Sequence, residues 1–278
     1  MTDREEGRTA FVLGGGGLLG AVQVGMLRAL FERGVQPDLV LGTSVGALNG
    51  LVVASDPTPA VIDRLLDLWK SVGESNEVYS GGTWRQMSRA MRTGTHLHSA
   101  KPLRERLEQE FGGVTFAGLA VEFQCCAASI ERAAEHWFID GQVVQAVMAS
   151  AAVPGLLPPA LVDGEHYLDG GIVNSIPLAR AVQQGADRVF VLQVGRIDRP
   201  LKAPRKPWEV ARVSFEIARR HRFVRELAEL PEGVAAHVLP AAGSAKDDAA
   251  LAYRDTSQVA GRIEAAYEAS VAYLEGHL

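Results

Sequence analysis

Twice within the first 54 residues, a short apolar run ends in glycine and passes directly into a segment with helical periodicity. The first pass is "TAFVLGGGGLLGAVQVGMLRALFER" and the second is "DLVLGTSVGALNGLVVA". Thr9–Leu13 and Asp38–Leu41 read as strands. From Leu18 to about Arg33, Val22, Met26, Leu27 and Leu30 fall on one helical face, with Gly34 placed to cap it. "SVGALNGLVVA" reads as a second helix. Strands joined through a helix run parallel, and a parallel sheet needs helices over both faces. The chain is therefore expected to be α/β, three layers deep, with a mainly parallel central sheet.

The remaining pattern extends this arrangement. Helices are expected at Pro59–Val72, Thr83–Arg92 and Pro102–Phe111, with the polar stretch "GESNEVYSGGT" (73–83) as a loop between the first two. Leu119–Ser129 and Glu135–Ile139 read as strands around a charged turn. "GQVVQAVMASAAVPGLLPPALV" reads as a helix stopped by Pro154 and Pro158–Pro159. Arg188–Val194, "RVFVLQV", suits the middle of a parallel sheet. A long helix over Pro207–Leu230, a strand at Ala235–Leu239 and a last helix over Thr256–Glu275 complete the chain. We expect one domain over residues 1–278, with a motif-bearing core at 9–194 and a helical extension at 195–278.

Bulk properties exclude several functions. A net charge of −5 gives no general attraction to nucleic acid, so no nucleic-acid partner is expected. No stretch approaches the ~20 apolar residues of a membrane span. The charged start "MTDREE" is unlike a signal peptide, and the reading is a cytoplasmic protein. The two cysteines, Cys125 and Cys126, are adjacent in a strand-like run and read as small buried hydrophobes rather than a disulfide or metal site.

Within the second glycine crossing, "GTSVG" places Ser44 between Gly42 and Gly46, after a strand and before a helix. The small residues could serve only a tight turn. The same context is what a nucleophile elbow requires, because a sharp strand-to-helix turn holds the hydroxyl clear of the backbone beside a positive helix end. The usual α/β-hydrolase places several strands before its nucleophile, and only two fit ahead of Ser44, which argues against that fold.

The first crossing, "GGGGLLG", contains G-x-G-x-x-G at Gly15, Gly17 and Gly20. A dinucleotide site would need an acid at the end of the second strand, where this chain has the serine elbow instead. The alternative is an oxyanion hole, in which successive glycine amides converge on one oxygen at a helix N-terminus. Seven histidines are available as bases, none in a distinctive setting, and His221 and His237 keep a serine–histidine triad open. "YLDGGIVNSIP" offers Asp169 after a short strand, although an Asp-Gly turn is a common object.

Taken in order, "GGGGLLG", "GTSVG", "ASAAVPGLLPP" and "DGG" resemble the patatin-like phospholipases, acyl hydrolases that use a serine–aspartate dyad. The resemblance runs from about Thr9 to Val194. It implies the patatin-like version of the α/β fold, Ser44 as nucleophile and Asp169 as base. It also implies an oxyanion hole at Gly15, Gly16, Gly17 and Leu18, with Gly20, Gly42, Gly46, Gly170 and Gly171 supporting the motifs. Such a dyad needs neither metal nor organic cofactor. The chain departs from the pattern at Leu19, where many members carry a basic residue; this bears on phospholipid preference more than on ester cleavage.

The implied substrate is a lipid carboxylic ester: phospholipid, lysophospholipid or neutral lipid. A catalytically weak lipid-binding or regulatory protein on the same scaffold is the competing expectation, motivated by Leu19. Leu18, Leu19 and the "VPGLLPP" run supply apolar material near the site, and the insertion at 74–112 has the position of a lid. Eight lysines and arginines at 202–225 face only Glu209 and Glu216 in that span. Val210, Val213, Ile217, Val224 and Leu227 recur there at helical spacing. The segment reads either as a solvated basic face on a core-packed helix or as a peripheral membrane contact.

Overall fold

The computed structural model describes residues 7–74, 96, 98–195, 197, 200–205, 207–242 and 258–278. The helix expected at Thr83–Arg92, and all of the 73–83 loop past Glu74, lie outside these residues.

Strand β1 (Thr9–Leu13) leads through a turn of 3-10 helix (Gly17–Ala21) into α1 (Val22–Glu32). β2 (Leu39–Thr43) leads into α2 (Val45–Ser55), and α3 (Val61–Glu74) follows. After α4 (Lys101–Phe111) come β3 (Glu122–Ser129), β4 (Ala134–Phe138) and α5 (Val143–Ser150). Next are the short strands β5 (Ala160–Val162) and β6 (Glu165–Asp169), then α6 (Gly171–Asn174) and α7 (Leu178–Gln183). β7 (Arg188–Leu192), α8 (Pro207–Ala228), β8 (Ala235–Val238) and α9 (Val259–Glu275) end the chain.

One sheet carries all eight strands, in the order β5-β6-β3-β2-β1-β7-β8, with β4 also on β3. β1, β2, β3, β7 and β8 are parallel. The apolar runs of β1, β2 and β7 are buried on both faces, as a central parallel sheet requires. Phe11, Leu13, Val40 and Phe190 pack under α1, α2 and α9 on one face. Ala10, Val12, Leu41 and Val191 meet Ile176, Leu178 and Phe223 on the other. The C-terminal residues join this core directly. β8 extends the sheet beside β7, and a Cβ on Gly25 of α1 would stand 2.1 Å from the Ile263 carbonyl of α9.

The sheet changes character at β3. Its residues 122–126 pair in parallel with β2, and residues 127–129 pair antiparallel with β6. β4 pairs with residues 125–129, overlapping both neighbours, so it occupies the opposite edge. β2 and β6 therefore share one edge of β3 and meet end to end. Thr43 is opposite Cys126, and Asp169 is opposite the next residue, Ala127.

Three expectations need correction. In the stretch 141–162, expected as a helix stopped by Pro154 and Pro158–Pro159, the helix already ends at Ser150, and Ala160–Val162 form β5 of a hairpin. Asp163 and Gly164 turn that hairpin with φ of 49° and 85°, the conformation an Asp-Gly pair favours. The helix expected from Leu18 begins as a 3-10 turn after Gly17, whose φ is 57°.

The third correction concerns α8, which is not a basic-faced helix. Val210, Ile217 and Val224 are 50, 55 and 56% exposed, whereas Arg219 is 5% and Glu226 8% exposed. Arg219, Arg222 and Glu226 turn inward because the layer beneath α8 offers backbone groups to bond, whereas Arg225 stays exposed. Arg219 donates to the Val194 carbonyl at 3.1 Å, Arg222 donates to the Val173 carbonyl at 2.5 Å, and Glu226 accepts from the Ala179 amide at 2.9 Å. Among the described residues, no helix is long and apolar enough to cross a membrane.

Candidate active site

The end-to-end meeting of β2 and β6 places Ser44 and Asp169 together. Ser44 forms the turn between β2 and α2 with φ 57° and ψ −124°. For a non-glycine residue this conformation costs about 1–3 kcal/mol and persists only where its surroundings enforce it. They do so here through the flanking glycines. A Cβ on Gly42 would lie 2.6 Å from Ala47 Cα, and one on Gly46 only 2.0 Å from the Leu13 carbonyl oxygen. Helix, strand and neighbouring strand thus close on each other with no room for side chains.

The Ser44 hydroxyl donates to Asp169 Oδ2 at 2.5 Å, across 125 positions of sequence. Both residues are buried. Asp169 Oδ1 accepts the Gly171 amide at 2.7 Å. Burial pushes the Asp169 carboxyl up to about 6, and the bonds from Ser44 and Gly171 pull against that rise. Gly170 lets β6 pass close over β3, since a Cβ there would stand 2.1 Å from the Cys126 carbonyl oxygen.

The glycine loop lies against the serine. A Cβ on Gly15 would be 3.3 Å from Ser44 Cβ. The Gly15 amide, expected among the oxyanion donors, is already engaged by the Ser175 carbonyl at 2.9 Å, so Gly15 supports the loop instead. The amides of Gly16, Gly17 and Leu18 have no hydrogen-bond partner among the described residues. Gly20 allows contact with α2, where Val45 Cγ2 would be 2.4 Å from an added Cβ.

Behind the loop runs a polar chain that motif reading missed. Gln23 Nε2 donates to the carbonyls of Gly14 at 2.9 Å and Leu192 at 2.8 Å. Asn49 Nδ2 donates to the Gly20 carbonyl at 3.0 Å and to Gln23 Oε1 at 2.8 Å, and Trp69 donates to Asn49 Oδ1 at 3.1 Å. Gln23 and Asn49 are fully buried. Their signal in the sequence was a polar residue inside an apolar helical stretch: "AVQVGML" and "GALNGLVV".

The site thus holds a serine hydroxyl on a buried carboxylate, beside loop amides that have no partner among the described residues. The sequence profile of the patatin-like phospholipases matches residues 11–182, more than half of the 278-residue chain. The chain belongs to the patatin-like phospholipase family. It is 31% identical over 187 residues to Lysophospholipase nte1 of Aspergillus terreus and 32% identical over 187 residues to that of Emericella nidulans. Each alignment spans 67% of this chain but only 12% of the relative's length. In fold it is similar to VipD from Legionella pneumophila, with a TM-score of 0.50 at 15% identity over 98% of this chain and 67% of that one.

The histidines considered for a triad lie elsewhere in this patatin-like fold. His221 is exposed on α8. His237 sits in β8, three strands from β2, with its ring stacked on Phe190 at 4.9 Å. The Ser44 hydroxyl points at Asp169, not at either ring.

Proposed function

We propose that this protein is a serine acyl hydrolase that cleaves carboxylic esters of lipids through Ser44 and Asp169. The observation that carries the reading is the 2.5 Å bond from the Ser44 hydroxyl to the buried Asp169 carboxylate beside unpaired loop amides. Asp169 takes the hydroxyl proton as Ser44 Oγ attacks the ester carbonyl carbon. The amides of Gly16, Gly17 and Leu18 receive the negative charge developing on the carbonyl oxygen. The proton then passes to the departing alcohol, leaving an acyl-serine. Asp169 next accepts a proton from water as it attacks that ester, and Ser44 regains its hydroxyl with release of the fatty acid.

The dyad's pKa suits this work. An exposed carboxylate near 3.9 is a poor proton acceptor, and raising it to about 6 strengthens the base while leaving it ionised at neutral pH. The cation missing at Leu19 has a counterpart in this reading. The buried Arg219 guanidinium holds the Val194 carbonyl, and Val194 Cγ2 fills the space beside Gly16, 1.9 Å from where a Cβ there would be.

The substrate reading is a lysophospholipid or another monoacyl ester, on the strength of relatives named lysophospholipases at 31 and 32% identity. Such molecules gather at lipid surfaces, and α8 faces outward with Val210, Ile217 and Val224. Its Phe215 ring reaches back to the site, 2.6 Å from where a Cβ on Gly171 would be. The outward aliphatic stripe favours docking of α8 on a lipid bilayer, with exposed Lys202, Arg205 and Arg225 toward anionic headgroups.

Ser44→Ala is expected to abolish hydrolysis of a short-chain p-nitrophenyl ester, and to abolish labelling by a fluorophosphonate probe, while the protein keeps its wild-type circular dichroism. Wild-type turnover by the alanine variant would refute the reading. A native protein that neither turns over nor takes the probe at Ser44 would favour the lipid-binding alternative motivated by Leu19.

A further inference from the structure

The end of α5 and the two residues after it make three bonds to the serine turn and the end of β6, two of them to the backbone of Ser44 and Asp169. The Ser150 hydroxyl accepts the Ser44 amide at 2.9 Å. The Ser150 carbonyl accepts the Gly170 amide at 3.2 Å, and the Ala152 carbonyl accepts the Asp169 amide at 2.9 Å. The segment therefore grips the backbone of both proposed catalytic residues, and Ser150 is fully buried.

We infer that Ser150 is a positioning residue for the nucleophile, and that Ser150–Ala152 form a bracket that sets the spacing of Ser44 and Asp169. The inference rests on the dyad reading above and deepens it. The physical case begins with the strain at Ser44. A residue held at φ 57° with a buried amide needs a partner for that amide, because an unpaired buried N–H is costly. Neither the sheet nor α2 supplies one, since at this turn Ser44 leaves β2 and precedes the first helical hydrogen bonds. Ser150 supplies the only acceptor the Ser44 amide has among the described residues. The hydroxyl thus pins the end of the elbow to α5, while carbonyls of the same turn pin the end of β6.

A second consequence concerns the oxyanion. With its own amide bound to Ser150, Ser44 contributes no donor from its backbone, and stabilisation falls to the glycine loop. The bracket keeps the two functions apart: one face of the elbow is tied down, the other is open to substrate.

The test is Ser150→Ala, which removes the acceptor and leaves both carbonyls in place. We expect kcat on a p-nitrophenyl ester, per site titrated by the fluorophosphonate, to fall about 10- to 100-fold. KM should stay within about twofold, since a uniform-binding contact is not what is lost. The pH midpoint should stay or rise and should not fall, because the burial of Asp169 is untouched while a loosened Ser44 bond pulls its carboxyl down less. Wild-type kcat per titrated site overturns the inference, and so does a loss seen only in the number of titratable sites or only in KM. Ser44→Ala, run alongside, separates the two levels. If that variant is inactive while Ser150→Ala is fully active, the bracket fails and the dyad reading stands; if it is active, the dyad reading fails.

Discussion

In the proposed role Asp169 works as a base from a buried position and has to ionise there. With its carboxyl at about 6, kcat/KM should be level above pH 7 and fall about tenfold per unit below the midpoint, as protonation removes the base. A steady-state pH series on a soluble ester measures this. Asp169→Asn should lower the rate by about 10²- to 10⁴-fold. Stability should move the other way. The folded carboxyl binds its proton more tightly than the unfolded one at 3.8, so ionisation above pH 6 opposes folding by about 3 kcal/mol. Asp169→Asn should therefore melt higher than the wild type at pH 8, with the advantage shrinking through pH 6 and gone below pH 4. Equal melting temperatures at pH 8 would contradict this. Ser44 could be singled out locally because glycines flank it after a strand, whereas Asp169, an ordinary Asp-Gly turn by itself, was singled out only through the resemblance of four ordered motifs. Gly15 misled, since its amide partner, Ser175, comes from an element 160 positions away that no local pattern reveals. Ser150 lies within the motif "ASAAVPGLLPP", but its task was unreadable for the same reason, since the Ser44 amide it accepts is 106 positions away.

The helix α8 carries the next prediction. Ile217→Asp together with Val224→Asp should reduce co-sedimentation with mixed phosphatidylcholine and phosphatidylserine vesicles by about tenfold or more. Turnover of a soluble short-chain ester should stay at the wild-type level. Unchanged vesicle binding would remove α8 as the docking element, and a shift to a smaller particle in light scattering would assign the stripe to a second copy of the chain. The 3.6-residue spacing of Val210, Val213, Ile217 and Val224 was plain in the sequence. Which way that face pointed was not, because orientation depends on the carbonyls and amides of Val173, Ala179 and Val194 waiting beneath. β5 escaped notice as three residues after a proline pair, although the Asp163-Gly164 turn that pairs it with β6 was visible.

Across the whole molecule, the parallel α/β architecture was legible because apolar runs alternate with helical ones, and composition alone supplied the core. The role of the last quarter of the chain was not, since it holds no motif. Its β8 extends the sheet beside β7, and α9 lies against Gly25 of α1. We propose that residues 195–278 and the motif-bearing core unfold as one unit. Guanidinium transitions followed by tryptophan fluorescence and by far-ultraviolet circular dichroism should coincide; two separated transitions would make the extension a domain of its own.

The edge shared by β2 and β6 carries an implication for how such an enzyme changes over time. Neighbouring residues of β3, Cys126 and Ala127, register the ends of β2 and β6, and residues 150–152 tie the same two ends, so the separation of the proposed dyad depends on these contacts and not on the length of the connections. A connection that leaves this register and the residues 150–152 in place, such as the turn between β3 and β4, can lengthen, shrink or be exchanged while the proposed proton path stays the same. New acyl preferences can accordingly arise by remodelling connections, with the reaction centre inherited intact.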